Sequence, residues 1–179
     1  MKKLTIVISA IFLATFLLFV YGNPTAVNAD MDETKSIKDN EFNFFVGKFD
    51  FSDDGKRSTL YGIQHQNEEL YNKSFLGKIS PVTGAFITAA GASYIYTGVQ
   101  AEYDLGPISF NPSFTPGYYT PGDGKDLGHA LEFKTELQMT FDFLENSHFG
   151  MSYNHISNAS LGTNNPGANS YMFNFLQKF

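Results

Sequence analysis

One segment constrains this chain more than any other. Leu131, Phe133, Thr135, Leu137, Met139, Phe141 and Phe143 fall on one parity, and Glu132, Lys134, Glu136, Gln138, Thr140 and Asp142 fall on the other. A period of two belongs to a β-strand, and a helix does not produce it. The run is longer than the usual soluble strand and matches a tilted crossing of a bilayer. Its polar row carries charges of both signs, which suits a wet or ion-paired interior behind an apolar outer row. A water-soluble sandwich or small barrel is the alternative that patterning alone leaves open.

The same rhythm recurs after residue 40. Strand candidates lie at 41–51, 57–67, 74–87, 92–105, 108–119, 130–144, 147–157 and 169–179. The breaks carry turn chemistry: Asp53-Asp54-Gly55, Asn67 to Asn72, Ala89 to Ala92 around Gly91, Leu105-Gly106-Pro107, Pro121-Gly122-Asp123-Gly124 and Glu145-Asn146. Pro81, Pro112 and Pro116 fall inside candidates and remove ladder donors, so bulges or irregular ends are expected there. Eight strands is an even number and the smallest usual for a membrane barrel, and closure leaves no exposed edge. The fold expected is an all-β, eight-stranded antiparallel transmembrane β-barrel.

Composition agrees. The chain has 19 Phe and 10 Tyr but no Trp, and most of the aromatics lie in the alternating segments. Beyond the first stretch, no run reaches the roughly 20 apolar residues of a spanning helix. That first stretch reads as a signal peptide. Lys2 and Lys3 precede an apolar run from Leu4 to Val20, and Val27-Asn28-Ala29 supplies small residues for cleavage before Asp30. The domains expected are thus a signal at 1–29, a flexible lead at 30–40 and the barrel at 41–179. Removing Lys2 and Lys3 takes the net charge from -6 to -8, which argues against nucleic acid as partner. There is no cysteine, hence no disulfide and no thiol nucleophile.

If both termini are periplasmic, the seventh strand runs outward and ends at His155 and Ser157. The loop 158–168 is then extracellular, and 121–129 fits the long external class. The short turns 89–92 and 145–146 are expected on the periplasmic side. Phe149, Met151, Tyr153, His155 and Ser157 share one parity, so the imidazole and hydroxyl are expected on the lipid-facing side at the rim. Ser152 and Asn154 fall on the inward row. A histidine near a serine is by itself most often a rim histidine beside a surface serine. His65, His129, His148 and His155 show no zinc spacing, and Asp123-Gly124-Lys125-Asp126 reads as an exposed acidic turn rather than a calcium loop. Gly122 and Gly124 do not make a phosphate cradle.

Two features resemble known proteins. Tyr171, Phe173, Phe175 and the terminal Phe179 resemble the C-terminal sorting signal of bacterial outer-membrane barrels. His155-Ile156-Ser157-Asn158-Ala159, followed by Asn165-Pro166-Gly167, resembles the core motif of the outer-membrane lipid A 3-O-deacylase (PagL-like) family over the last 31 residues. The resemblance implies a serine esterase without cofactor or metal. It implies action on lipid A in the external leaflet of a Gram-negative outer membrane, with insertion by the barrel-assembly machinery. It implies Ser157 as nucleophile, His155 as base, and Asn158, through its amide or nearby backbone N–H groups, at the oxyanion. The family's third member is a glutamate fourteen residues beyond the histidine, and Asn169 stands there in this chain. An asparagine can fix the imidazole tautomer but does not stabilise imidazolium as a carboxylate does. Slower turnover or lost activity is therefore expected. The alternatives are a non-enzymatic structural or adhesive barrel, and an esterase acting on another membrane lipid.

Overall fold

The computed structural model describes residues 40–179 apart from 54, 68–71, 75 and 76. The expected signal peptide and nearly all of the flexible lead lie outside the described residues, as do the centre of the 67–72 break and the link 75–76.

The strands are β1 (Asn40–Phe49), β2 (Ser58–Asn67), β3 (Asn72–Ser74), β4 (Gly77–Thr88), β5 (Ser93–Asp104), β6 (Ile108–Thr120), β7 (Leu131–Leu144), β8 (Ser147–Ser157) and β9 (Ala168–Lys178). Eight of them, each of 10 to 14 residues, pair antiparallel with their neighbours in a closed ring. The β1–β9 ladder joins the first and last strands, and β2 pairs directly with β4. The three-residue β3 is a side hairpin on β4, so the candidate at 74–87 resolves into two elements.

Prolines are accommodated by gaps in one ladder. The β5–β6 register is interrupted opposite Pro112 and Pro116, while the β6–β7 register runs unbroken through both. The β2–β4 ladder ends at Gln66↔Val82, one residue short of Pro81. A missing N–H costs little where the neighbouring strand is not paired to it.

The barrel is apolar outside and mostly polar within. Phe44, Val46, Tyr61, Ile63, Ile87, Ile95, Leu137, Phe149, Met151, Phe173 and Phe175 are exposed on the outer rows. Inside, Lys134 Nζ donates to Glu136 Oε2 at 2.7 Å and lies 4.0 Å from the centre of the Tyr96 ring. Tyr96, Gln64, Gln100 and Gln66 form a hydrogen-bonded chain, and Asn43, Asn174 and Ser152 form another. A group withdrawn from water must find partners, and these side chains supply them for one another. Buried apolar and aromatic residues gather towards one rim, with Phe49, Leu60, Phe86, Tyr94, Tyr119, Leu127 and Ile156 packed together.

That rim carries the connections 50–57, 89–92, 121–130 and 158–167, whereas 105–107, 145–146 and the C-terminus lie at the other. The expectation that turn 89–92 lies on the same side as 145–146 is therefore corrected. Asp123 N–H bonds Ala90 O at 2.9 Å, which ties 89–92 to the 121–130 loop. Crossing number fixes the side of a turn, and its length does not. The acidic turn is also more than an exposed loop. Lys125 Nζ lies 2.9 Å from Asp50 Oδ2 and 3.2 Å from Asp53 Oδ2, and Leu127 is 0% exposed, stoppering the barrel. Burial raises the Asp50 carboxyl above its usual range, and the Lys125 ammonium opposes that rise.

Candidate active site

β8 keeps its alternation to the rim. Ser152, Asn154 and Ile156 are buried in the interior, Phe149, Met151 and Tyr153 are exposed outside, and His155 and Ser157 follow on the outer parity, half-buried. Two residues of a strand span about 7 Å, so the imidazole and the hydroxyl stand on one face one pleat repeat apart.

The last hairpin sets His155 directly opposite Asn169 in the β8–β9 register. His155 Nδ1 lies 2.8 Å from Asn169 Oδ1. An amide oxygen only accepts, so Nδ1 carries the proton and Nε2 presents a lone pair. On the other flank, Thr135 of β7 faces His155 and Phe133 faces Ser157.

Gly167 closes the hairpin against the imidazole. Its φ is +62°, and a Cβ at this position would lie 2.9 Å from His155 Cε1 and 3.4 Å from Nε2. Glycine meets both demands, a left-handed backbone and a close approach. In the sequence Gly167 stood out only as the end of the Asn165-Pro166-Gly167 stretch.

Asn158 is wholly buried. Its Nδ2 donates to Leu127 O and to Asn164 O, both at 2.8 Å, and its Oδ1 accepts from Ser160 N–H at 2.9 Å. Its own N–H donates to Asn165 Oδ1 at 3.1 Å. The side chain thus staples the 158–167 loop to the 121–130 loop and keeps no N–H for an oxyanion. Of the donors expected here, the backbone ones are left. Ala159 and Ser160 both have left-handed φ, of 51° and 67°, and among the described residues the Ala159 N–H makes no hydrogen bond.

Two further partners come from elsewhere in the chain. Tyr153 Oη donates to Asn169 Oδ1 at 2.8 Å, and Asn169 Nδ2 donates to Ser52 Oγ at 3.0 Å. Ser52 arrives because Asp50, with φ +52°, turns the chain out of β1, and Phe51 N–H then bonds Asn169 O at 3.0 Å. The Phe51 ring packs against Tyr153 and Tyr171 at centroid distances of 6.2 and 5.4 Å. Tyr153 read as one more lipid-facing aromatic, and Ser52 carries no sequence signal at all.

The crystal structure of the outer membrane enzyme PagL is similar at 18% identity and a TM-score of 0.60, covering 76% of this chain and 98% of that one. A structure from the de novo design of transmembrane β-barrels is similar at 11% identity and a TM-score of 0.53, over 81% of this chain and 98% of that one. Neisserial surface protein A is similar at 8% identity and a TM-score of 0.51, over 79% of this chain and 96% of its own. These likenesses concern the fold. No curated protein matches the sequence. The family model for lipid A 3-O-deacylase (PagL) matches residues 46–176, which takes in His155, Ser157 and Asn169. A match over that much of the barrel makes the chain a member of the lipid A 3-O-deacylase family.

Proposed function

We propose that this outer-membrane barrel is a serine esterase that removes the acyl chain ester-linked at the 3-position of lipid A in the external leaflet. The observation that carries the reading is the His155–Asn169 pair at 2.8 Å on the outer face, with Ser157 on the same row. Ser157 Oγ attacks the ester carbonyl while His155 Nε2 takes its proton. The tetrahedral intermediate collapses, and the departing 3-oxygen receives that proton from His155 to leave as the hydroxyl. Water, deprotonated by the same nitrogen, then releases the fatty acid from Ser157. The Ala159 N–H, two residues along from Ser157 and unbonded among the described residues, serves as the donor for the oxyanion. Phe133, across from Ser157, offers an apolar wall to the acyl chain.

The reading is tested by mass spectrometry of lipid A from cells expressing the protein. A loss of one hydroxyacyl chain is expected. Unchanged lipid A of several acylation patterns, from a correctly folded preparation, would sink it.

The amide at position 169 orients His155 without neutralising the imidazolium that forms in the transition state. Asn169→Asp supplies that charge in the same shape, and kcat is expected to rise about tenfold. Steady-state rates on lipid A micelles check this. A kcat no higher than that of the wild type would mean that Asn169 does not face a developing positive charge.

A further inference from the structure

An asparagine beside a catalytic histidine raises a problem that a carboxylate does not. Its two ends differ. With Oδ1 on Nδ1, the imidazole proton is held at Nδ1 and Nε2 is free to act as base. With the amide turned over, its N–H₂ faces Nδ1, the proton moves to Nε2, and the base is lost. Something must choose the end.

Two side chains meet the amide. Tyr153 Oη is 2.8 Å from Oδ1, and Ser52 Oγ is 3.0 Å from Nδ2. A phenol donates well and accepts poorly, so it favours an oxygen over an N–H₂ group. Oδ1 has two lone pairs, one for His155 and one for Tyr153. Turning the amide over would aim N–H groups at both the phenol oxygen and the imidazole. Ser52 can donate or accept, and in the observed arrangement it takes the amide N–H₂ on the far side. Both are held in position: Tyr153 by the Phe51 ring, and Ser52 by the Phe51 N–H bond to Asn169 O at 3.0 Å.

We infer that Tyr153 is a positioning residue that keeps the Asn169 amide oxygen on the imidazole and so selects the tautomer the reaction needs, with Ser52 anchoring the far side of the amide. The inference rests on the esterase reading for its kinetic consequence, and on the hydrogen-bond geometry alone for its effect on the tautomer. It explains how a chain with an amide at the acid position retains a usable base. A carboxylate there, with two equivalent oxygens, would need no such help.

The test is a double-mutant cycle with a spectroscopic arm. Tyr153→Phe is expected to lower kcat on lipid A micelles about tenfold with little change in KM. Ser52→Ala is expected to act in the same direction but less, and Ser52→Thr to restore the rate. In the Asn169→Asp background, Tyr153→Phe should cost less than about twofold, because either oxygen serves. An equal loss in both backgrounds would assign Tyr153 to packing and overturn the inference, as would no loss in either. The second arm needs no activity. Nitrogen-15 NMR of the histidine-labelled full-length barrel in detergent, with His155→Gln to assign the signal, reads the tautomer directly. The wild type should show the proton on Nδ1, and Tyr153→Phe a mixture. A wild-type His155 protonated mainly on Nε2 overturns the inference whatever the enzyme hydrolyses. An inactive wild type with the expected tautomer leaves the clamp standing and removes only the substrate reading.

Discussion

Replacing Ser157 with alanine is expected to lower deacylation at least about a thousandfold while the barrel stays folded. The two effects separate because the hydroxyl has no structural task. Ser157 is half-buried on the outer row at the end of β8, and its side chain makes no hydrogen bond among the described residues. Losing such a group changes stability by no more than about 0.5 kcal/mol. Losing a nucleophile removes the covalent route altogether and leaves what binding and the oxyanion donor supply. Rate measurements on lipid A micelles, beside the heat-dependent gel mobility of the barrel, check both halves. A variant that keeps more than a few per cent of the rate would take Ser157 out of the mechanism. A variant that loses its heat-modifiable form would mean the hydroxyl supports the fold instead.

Gly167→Ala should cost about a hundredfold in rate. The added methyl would sit 2.9 Å from Cε1 of His155 and 3.4 Å from Nε2, so the imidazole has to leave its present position. The left-handed φ of +62° adds about 1 kcal/mol of backbone strain for alanine. Gly106→Ala separates the two contributions. Gly106 has a φ of +78° at the opposite rim, and nothing lies within 4 Å of where its Cβ would stand. It should therefore show the loss of stability alone, read from thermal unfolding, with full activity. Equal rates for the two variants would rule out a steric role for the Gly167 contact.

Much of this architecture is written locally. The β7 rows are visible in residues 131–143 because every second side chain meets lipid and every other meets the lumen. The same two-residue rule put His155 and Ser157 on the outer parity, and the family spacing singled out Asn169, which the β8–β9 register sets opposite the imidazole. What escaped was everything that depends on closure. Ser52 reaches Asn169 across 117 residues, and the Lys125 bridge to Asp50 joins the first and third rim loops. No periodicity encodes such meetings. Leu127 is a lone apolar residue in a polar loop, and only a barrel mouth gives it something to fill. The family resemblance implied Asn158 at the oxyanion, yet its side-chain amide donates to two loop carbonyls.

The amide at position 169 also alters what an approaching headgroup meets. A carboxylate beside the histidine would fix a negative charge at the membrane surface, next to the phosphates of a polyanionic sugar. Asn169, Tyr153 and Ser52 are all uncharged, so on the proposed esterase reading an anionic headgroup would meet a neutral strip at this point. Asn169→Asp should thus bind a phosphorylated lipid more weakly even as its chemistry quickens, and the gap should narrow as magnesium is added.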